Sequence, residues 1–162
     1  MNEERVFVGL GANLGDARHT LTSALGALAA LPAVQVVACS SPYRSAPLQA
    51  SGPDFLNAVA ELRTSLEPDA LLRALQLIEE AHGRQRPYPN APRTLDLDLL
   101  LYGQRTIQGP TLTVPHARLH QRAFVLQPLL ELAPTLRHPQ WGPLLPLLAA
   151  TGQQDIERLP SL

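Results

Sequence analysis

The pattern of hydrophobic and polar positions changes period along the chain, and each period predicts a type of element. Between Leu95 and Leu99, leucines alternate with Asp96 and Asp98, which is the period of two expected of a half-buried strand. After Pro68 the apolar residues recur every three or four positions, the spacing of one helix face. Over the whole chain, the pattern predicts strands at 5–11, 34–41, 55–63 and around 95–99, and helices at 17–31 and 68–82.

The predicted order is β-α-β-β-α-β, the split pattern of ferredoxin-like folds, so we expect an α+β fold with such a core. Beyond the core, the sequence predicts an extra C-terminal hairpin at Gly103, a helix at 122–132 and a short apolar helix at 143–150. Segments 42–53 and 84–92 are rich in turn residues and are expected to be shaped loops that close a site. The length fits a single domain spanning residues 1–162.

Composition and charge exclude several classes of protein. Hydrophobic residues make up 45% of the chain and charged residues 17%, which indicates a globular protein rather than a disordered one. The formal net charge of -1 gives no electrostatic reason to bind nucleic acid or an anionic membrane. The most apolar stretch, 21–39, is interrupted by Pro32 and does not predict a membrane span.

The numbers of cysteine and lysine residues exclude further kinds of site. Cys39 is the only cysteine, so neither an intrachain disulfide nor a multi-cysteine metal site can form. All thirteen basic residues are arginine, which excludes a Walker A phosphate loop because that loop requires a lysine. The N-terminus lacks the basic and apolar regions of a secretory signal. We therefore expect a cytoplasmic location. We also expect a monomer.

The paired carboxylates of Asp96 and Asp98 are the strongest candidate for chemistry. Side chains at i and i+2 of a strand share one face, with Cα atoms ~6.6 Å apart. Two carboxylates at this spacing suit Mg²⁺, which prefers oxygen ligands and usually shares them with substrate phosphates. The alternative is an ordinary solvent-facing strand surface, although aspartate is depleted in strands and adjacent like charges repel.

Arginines are concentrated just before this strand. Arg84, Arg86 and Arg93 precede the paired aspartates, and Arg122 follows His116 further along the chain. A metal ion together with arginines is the usual equipment for stabilising a phosphoryl-transfer transition state. Taken singly, each arginine is more often just solvated at the surface. The glycines of 9–15 do not match the spacing of a dinucleotide-binding loop, and we interpret them as a tight strand-to-helix turn.

The chain resembles the 6-hydroxymethyl-7,8-dihydropterin pyrophosphokinases of folate biosynthesis. The resemblance covers about residues 6 to 135 in order. It is carried by Gly-Leu-Gly-Ala-Asn-Leu-Gly-Asp at 9–16, Ser-Pro-Tyr-Arg at 41–44, Pro-Asp-Phe-Leu-Asn-Ala at 53–58, Gly-Arg at 83–84, Pro-Arg-Thr-Leu-Asp-Leu-Asp at 92–98 and Leu-Thr-Val-Pro-His at 112–116. It implies a ferredoxin-like core and transfer of the β,γ-pyrophosphoryl unit of ATP to the pterin hydroxymethyl group, leaving AMP.

The resemblance also implies roles for individual residues. Asp96 and Asp98 would hold two Mg²⁺ ions on the triphosphate, and Arg84 and Arg93, on a mobile loop, would assist transfer and product release. The positions implied to contact ATP are Gln76, Glu79, Arg86, Thr113, His116 and Arg122. Those implied to form the pterin pocket are Ser45, Leu48, Phe55, Asn57 and Phe124, with the Phe124 ring stacking on the pterin.

The chain departs from the family pattern at three places. The segment 87–90 is one residue shorter than in the family and has Tyr88 where an Arg-Trp pair is common. Ser-Ala-Pro-Leu at 45–48 replaces Thr-Pro-Pro-Leu, and Thr111 replaces a basic residue. The shortened segment bears most directly on how the pterin is covered.

Two other functions are compatible with parts of the pattern. An Asp-x-Asp strand end also serves metal-dependent glycosyl transfer, but that class normally needs a larger nucleotide-sugar domain. A ferredoxin-like module that binds RNA would have a basic face and exposed aromatics, whereas aromatics make up only 4% of this chain. The residue types do not decide the general base, which is either Asp98 or a metal-bound hydroxyl.

Overall fold

In a computed structural model of the chain, the structure describes residues 3–13, 16–46, 54–83, 95–152 and 154–162. The helices are α1 (Ala17–Ala29), α2 (Pro68–Ala81), α3 (Ala123–Leu132) and α4 (Leu145–Ala149). The longer strands are β1 (Glu4–Ala12), β2 (Val34–Cys39), β4 (Phe55–Thr64) and β5 (Asp96–Tyr102), with a short β3 (Tyr43–Ser45) before β4. The C-terminal strands are β6 (Ile107–Gln108), β7 (Thr113–Val114), β8 (Arg137–His138), β9 (Gly142–Pro143) and β10 (Ile156–Arg158).

The main sheet is antiparallel and is organised around β4. Its path runs β10-β3-β4-β1-β5, and β2 pairs with the end of β4 that β3 leaves open. β1 pairs with β4 along its whole length, from Glu4 opposite Thr64 to Ala12 opposite Leu56. The sheet with its four helices therefore has the α+β character predicted from the sequence.

The two faces of the sheet are covered by different parts of the chain. Helices α1 and α2 cover the first face, and their apolar stripes pack with alternate residues of the strands. Fully buried side chains of this layer include Val6, Val8, Leu21, Leu62, Leu71 and Leu75. Helix α3 and the C-terminal segment cover the second face, where Phe7, Leu101, Leu119, Leu126, Leu129 and Leu144 form a second core.

The predicted helices agree with the structure because their ends carry clear signals. The side chain of Asp16 accepts a hydrogen bond from the backbone N–H of His19 at 3.1 Å, which caps α1. Pro68 occupies the first turn of α2, where its missing N–H costs nothing. Gly83 follows α2 with φ of +79°, a conformation that glycine adopts without strain. Within the described residues, no helix is long and apolar enough to cross a membrane.

Three short features differ from the prediction. Segment 42–53, expected to be a loop, contains β3, and the tail contains β10, which pairs with β3. Gly103 follows β5 in a left-handed conformation, and a hairpin was predicted there. The next strand, β6, pairs with β7, so the hairpin lies between β6 and β7 instead. Strands of two or three residues are too short for alternation to reveal, and their pairing partners alone define them.

A polar network on α3 holds the edge of the sheet. Glu131 accepts hydrogen bonds from the backbone N–H of Ser41 at 2.9 Å and from the hydroxyl of Tyr43 at 2.7 Å. Arg158 of β10 forms an ion pair with the same carboxylate at 3.5 Å. Burial, and to a lesser degree the charge of Glu131, raises the pKa of Cys39 to about 11. The network joins α3, β3 and β10, which are far apart in the sequence.

Candidate active site

A cavity of about 450 Å³ lies on the second face of the main sheet. Its walls come from β1, β3, β4 and β5, the turn at 116–118 and the first turn of α3. Eight of the residues predicted for the site line this one cavity: Ser45, Phe55, Asn57, Asp96, Asp98, His116, Arg122 and Phe124. The structure therefore brings together residues that are up to 79 positions apart in the chain, from Ser45 to Phe124.

The paired strands place the two carboxylates beside the polar side chain of β4. Asn57 lies opposite Gly11, and Gly11 lies opposite Asp96; further along the same strand, Gly9 lies opposite Asp98. Directly paired residues of antiparallel strands have side chains on the same face. Both carboxylates thus project from the face that carries Asn57, as the alternation in the sequence predicts.

Gly9 and Gly11 fall both in the strand predicted at 5–11 and in the turn predicted at 9–15. The structure confirms the strand, since both glycines lie inside β1, and the turn prediction was wrong for them. A Cβ at Gly11 would come within 2.7 Å of the Oδ1 atom of Asn57, so the absence of a side chain lets Asn57 lie across the strand. A Cβ at Gly9 would make ordinary contact with Leu100 at 3.5 Å. Glycine at position 11 therefore serves a close approach on the floor of the cavity.

We expect Gly11→Ala to weaken binding of the ligand that contacts Asn57 and to leave the fold intact, because the amide at the end of a flexible side chain can move aside. Gly26→Ala in α1 is the matched control, since nothing lies within 4 Å of the added methyl. This control should raise the free energy of unfolding by about 0.5–1 kcal/mol, because alanine is the better helix former. Ligand titration measures the affinity of both variants, and urea denaturation measures their stability. Unchanged ligand affinity in Gly11→Ala would contradict a contact between Asn57 and the ligand.

Among the described residues, Arg118 and Arg122 bring positive charge to the cavity, and both follow the turn that begins at His116. The backbone N–H of His116 donates to the carbonyl of Leu100 at 3.0 Å, which attaches the turn to β5. Nδ1 of the His116 ring accepts from the backbone N–H of Arg118 at 3.3 Å, so a neutral ring carries its proton on Nε2. Burial lowers the pKa of His116, and the charge of Asp98 opposes this effect.

Arg122 stands at the N-terminus of α3, at the junction of the charged and aromatic walls. Its guanidinium carbon lies 5.3 Å from the centre of the Phe124 ring, a cation–π distance. Burial and the neighbouring Arg118 lower the pKa of Arg122, and Asp98 and Asp96 act in the opposite direction. The carboxylates and the guanidinium therefore lie within electrostatic reach of each other across the cavity.

Three further predicted residues that the structure describes do not line the cavity. Gln76 and Thr113 are exposed elsewhere, on α2 and β7. Glu79 is only 4% exposed, and its Oε2 atom accepts from the backbone N–H of Leu97 at 2.8 Å, between the two aspartates. Four others, Leu48, Arg84, Arg86 and Arg93, lie outside the described residues, as does Tyr88.

The acidic groups of the cavity suit a metal ion that is shared with a substrate. In the part of the chain that the structure describes, no group of three or more His, Cys, Asp or Glu side chains could hold a metal ion. Asp96 and Asp98 provide carboxylate oxygens, the donors that Mg²⁺ prefers, and Mg²⁺ commonly takes its other ligands from water and substrate phosphates. The donor set therefore fits Mg²⁺ bound together with a phosphate ligand.

Sequence reasoning did not identify Arg118, Gly9 and Gly11 as residues of the cavity. Arg118 lies two positions after His116 and four before Arg122, so its nearness to two candidates was a usable signal. For the glycines, the signal lies in the strand pairing, which periodicity does not reveal. Among the described residues, the lining of the cavity thus includes a cation, Arg118, that was not predicted.

Comparison with known proteins identifies the family of this chain. Residues 7–134 match the family model described as 7,8-dihydro-6-hydroxymethylpterin-pyrophosphokinase. This match assigns the chain to the pyrophosphokinases, enzymes of the transferase class. The chain belongs to the 7,8-dihydro-6-hydroxymethylpterin-pyrophosphokinase family, which confirms the family predicted from the sequence motifs.

Individual relatives support the assignment. A 2-amino-4-hydroxy-6-hydroxymethyldihydropteridine pyrophosphokinase of Pseudomonas aeruginosa is 49% identical over 158 residues, which cover 97% of this chain and 98% of the relative. The corresponding protein of Synechocystis is 44% identical over 83% of this chain and 69% of its own length. A folic acid synthesis protein of Pneumocystis carinii is 38% identical over 88% of this chain, which corresponds to 19% of that protein.

Solved structures show the same fold at low sequence identity. A structure of HPPK-DHPS in complex with substrates matches 93% of this chain with a TM-score of 0.75 and 12% identity. Wild-type HPPK-DHPS of Plasmodium falciparum matches 92% with a TM-score of 0.72 and 13% identity. The chain spans 43% and 41% of the lengths of these two solved chains. At such identities the likeness concerns the fold alone.

Proposed function

We propose that this protein transfers the pyrophosphoryl group of ATP to the hydroxymethyl oxygen of 6-hydroxymethyl-7,8-dihydropterin, releasing AMP, in folate biosynthesis. The single observation that carries the proposal is the cavity itself. It combines two carboxylates, a cationic turn and an aromatic, amide-bearing wall on one face of the sheet. Membership of the family supplies the identity of the two substrates.

The neutral wall of the cavity suits the pterin. Phe55 and Phe124 offer apolar ring surfaces, and the amide of Asn57 offers both a donor and an acceptor to a polar heterocycle edge. Ser45, on the neighbouring strand β3, pairs with Phe55 and adds a hydroxyl to the same wall. We propose that Leu48 completes this pocket.

The charged wall suits the nucleotide. His116 and Arg122 face the carboxylates and present donors to phosphate oxygens. We propose that Asp96 and Asp98 hold two Mg²⁺ ions, which when bound neutralise phosphate charge and act as Lewis acids. Further ATP contacts are proposed at Gln76, Glu79, Arg86 and Thr113, with assistance to transfer from Arg84 and Arg93.

Positioning accounts for most of the catalysis in this scheme. A hydroxyl held against the neutral wall and a triphosphate held against the charged wall meet over Asp96 and Asp98. Because both substrates are held in alignment, the reaction no longer depends on a random encounter between them, and its activation free energy is lower. Glu79 contributes indirectly, because its hydrogen bond to Leu97 fixes the strand segment that carries both carboxylates.

Three broader proposals accompany this function. The strand order β2-β4-β1-β5, with α1 and α2 on one face, supports a ferredoxin-like core. We propose that residues 1–162 act as one domain, because the described walls of the cavity come from elements between Gly9 and Val125. We also propose that the protein acts as a monomer. Its substrates are small and soluble, which supports a cytoplasmic location.

The test is an assay of nucleotide products. The protein is incubated with MgCl₂, 6-hydroxymethyl-7,8-dihydropterin and ATP labelled in either the α- or the γ-phosphate. The expected products are AMP that retains the α-label and a pterin product that carries the γ-label, with both requiring pterin and Mg²⁺. Formation of ADP, or the absence of turnover in a folded sample, would overturn the proposal.

A further inference from the structure

Arg118 lines the cavity between two residues already placed on its charged wall. It follows His116 by two positions and precedes Arg122 by four, and all three residues contribute to the same wall. The neutral wall comes mostly from β3 and β4, which carry Ser45, Phe55 and Asn57, and Phe124 of α3 joins it to the charged wall. An additional cation is thus present where phosphate charge is expected and not where the pterin is expected.

Among the residues that the structure describes, no carboxylate forms an ion pair with Arg118. Burial is the main cause that lowers the pKa of His116 and of Arg122, and the charge of Arg118 lowers both further while Asp98 opposes it. The guanidinium of Arg118 therefore lies within electrostatic reach of both groups. Cations that repel one another around a cavity form a favourable site for an anion, which relieves the repulsion on binding.

The backbone of Arg118 has a separate role that its side chain does not share. Its N–H donates to Nδ1 of His116 at 3.3 Å and so directs the Nε2–H of the neutral ring away from this bond. A substitution at position 118 other than proline keeps this N–H. The contribution of the guanidinium can therefore be measured without changing the tautomer of His116.

We infer that Arg118 is a further nucleotide-binding residue whose guanidinium contacts the phosphate chain of ATP beside Arg122. The inference rests on the proposed function, because ATP is the ligand that brings phosphates to this wall. Arginine suits the role, since its planar fork bonds two oxyanion oxygens at once. Its exposed position lets it meet the phosphates as they enter.

The experiment compares Arg118→Gln, Arg118→Lys and the control Arg63→Gln. Arg63 is exposed near the end of β4 and does not line the cavity, so its substitution removes an equal charge at a distance. The probe is α,β-methylene-ATP with Mg²⁺, which cannot be cleaved between the α- and β-phosphorus, and binding is measured by calorimetry at two salt concentrations. Steady-state assays give KM for ATP and for the pterin.

We expect Arg118→Gln to weaken binding of the analogue by about tenfold, the size of one charge-assisted hydrogen bond at a partly exposed site. Arg118→Lys should recover part of the loss, and Arg63→Gln should bind like the wild type. KM for ATP should rise with kcat and KM for the pterin unchanged, and the salt dependence of binding should become weaker.

Several results would overturn the inference. One is an affinity of Arg118→Gln for the analogue within twofold of that of the wild type. Another is an equal loss of affinity for adenosine, which lacks phosphates. A third is that Arg63→Gln loses as much affinity for the analogue as Arg118→Gln. None of them alters the production of AMP by the wild type, which tests the proposed function separately. Conversely, a wild type that makes no AMP still allows the binding of the analogue to be compared among the variants.

Discussion

Asp98→Ala is expected to reduce the rate of AMP formation by about 10³-fold or more and to leave the fold intact. Removal of the carboxylate takes away half of the protein ligands proposed for the metal ions, and the remaining groups cannot compensate for the phosphate charge. Asp98 is exposed on the cavity face of β5, whereas its neighbours Leu97 and Leu99 are buried on the opposite face. The substitution therefore alters the site without removing a core contact.

The assay is AMP formation over a range of MgCl₂ concentrations, with urea denaturation as the measure of folding. Asp155→Ala is the matched control, because it removes an exposed carboxylate that does not line the cavity. The control should retain the activity of the wild type. Activity of Asp98→Ala within tenfold of the wild type, in a folded protein, would exclude the proposed two-metal arrangement.

The second large effect concerns stability and lies away from the cavity. Glu131→Ala is expected to lower the free energy of unfolding by about 3 kcal/mol, because it leaves the backbone N–H of Ser41 and the hydroxyl of Tyr43 without their acceptor. Glu131→Gln keeps an acceptor oxygen, and we expect it to cost about 1 kcal/mol. Urea denaturation measures both variants through the fluorescence of Trp141, the only tryptophan.

The ion pair of the network provides the control. The side chain of Arg158 is 62% exposed, so its attraction to Glu131 is screened by water and should contribute less than about 1 kcal/mol. Arg158→Ala is therefore expected to be nearly neutral compared with Glu131→Ala. Equal destabilisation by the two substitutions would mean that the charge pair, and not the buried hydrogen bonds, stabilises this edge of the sheet.

The accuracy of sequence prediction in this chain depended on the length of the element. β1, β4, β5, α1 and α2 each contain enough residues for a period to be clear, and they were predicted to within a few positions. β3 and β10 have three residues each, and what defines them is hydrogen bonding to a distant segment. Pairing between distant strands leaves no trace in local periodicity.

In the candidate site as well, local alternation could be predicted from the sequence, whereas contacts between distant segments could not. Alternation alone places Asp96 and Asp98 on one face of β5, and the family resemblance was needed to associate them with Ser45 and Phe124. Gly11 was included in a predicted turn as well as in the predicted strand 5–11, and its place opposite Asn57 follows only from the register of β1 and β4. A single arginine on an irregular turn, such as Arg118, has no periodic signature at all.

The alternation along β5 also limits how this chain can evolve. Odd and even positions of the strand belong to different environments, with Leu97 and Leu99 in the core and Asp96 and Asp98 in the cavity. Insertion or deletion of one codon inside the strand would exchange the two sets and bury both carboxylates, each at a cost on the order of several kcal/mol. We therefore expect length differences among related sequences to fall in the segments between strands, and the number of residues from Asp96 to Leu99 to be the same in all functional homologues.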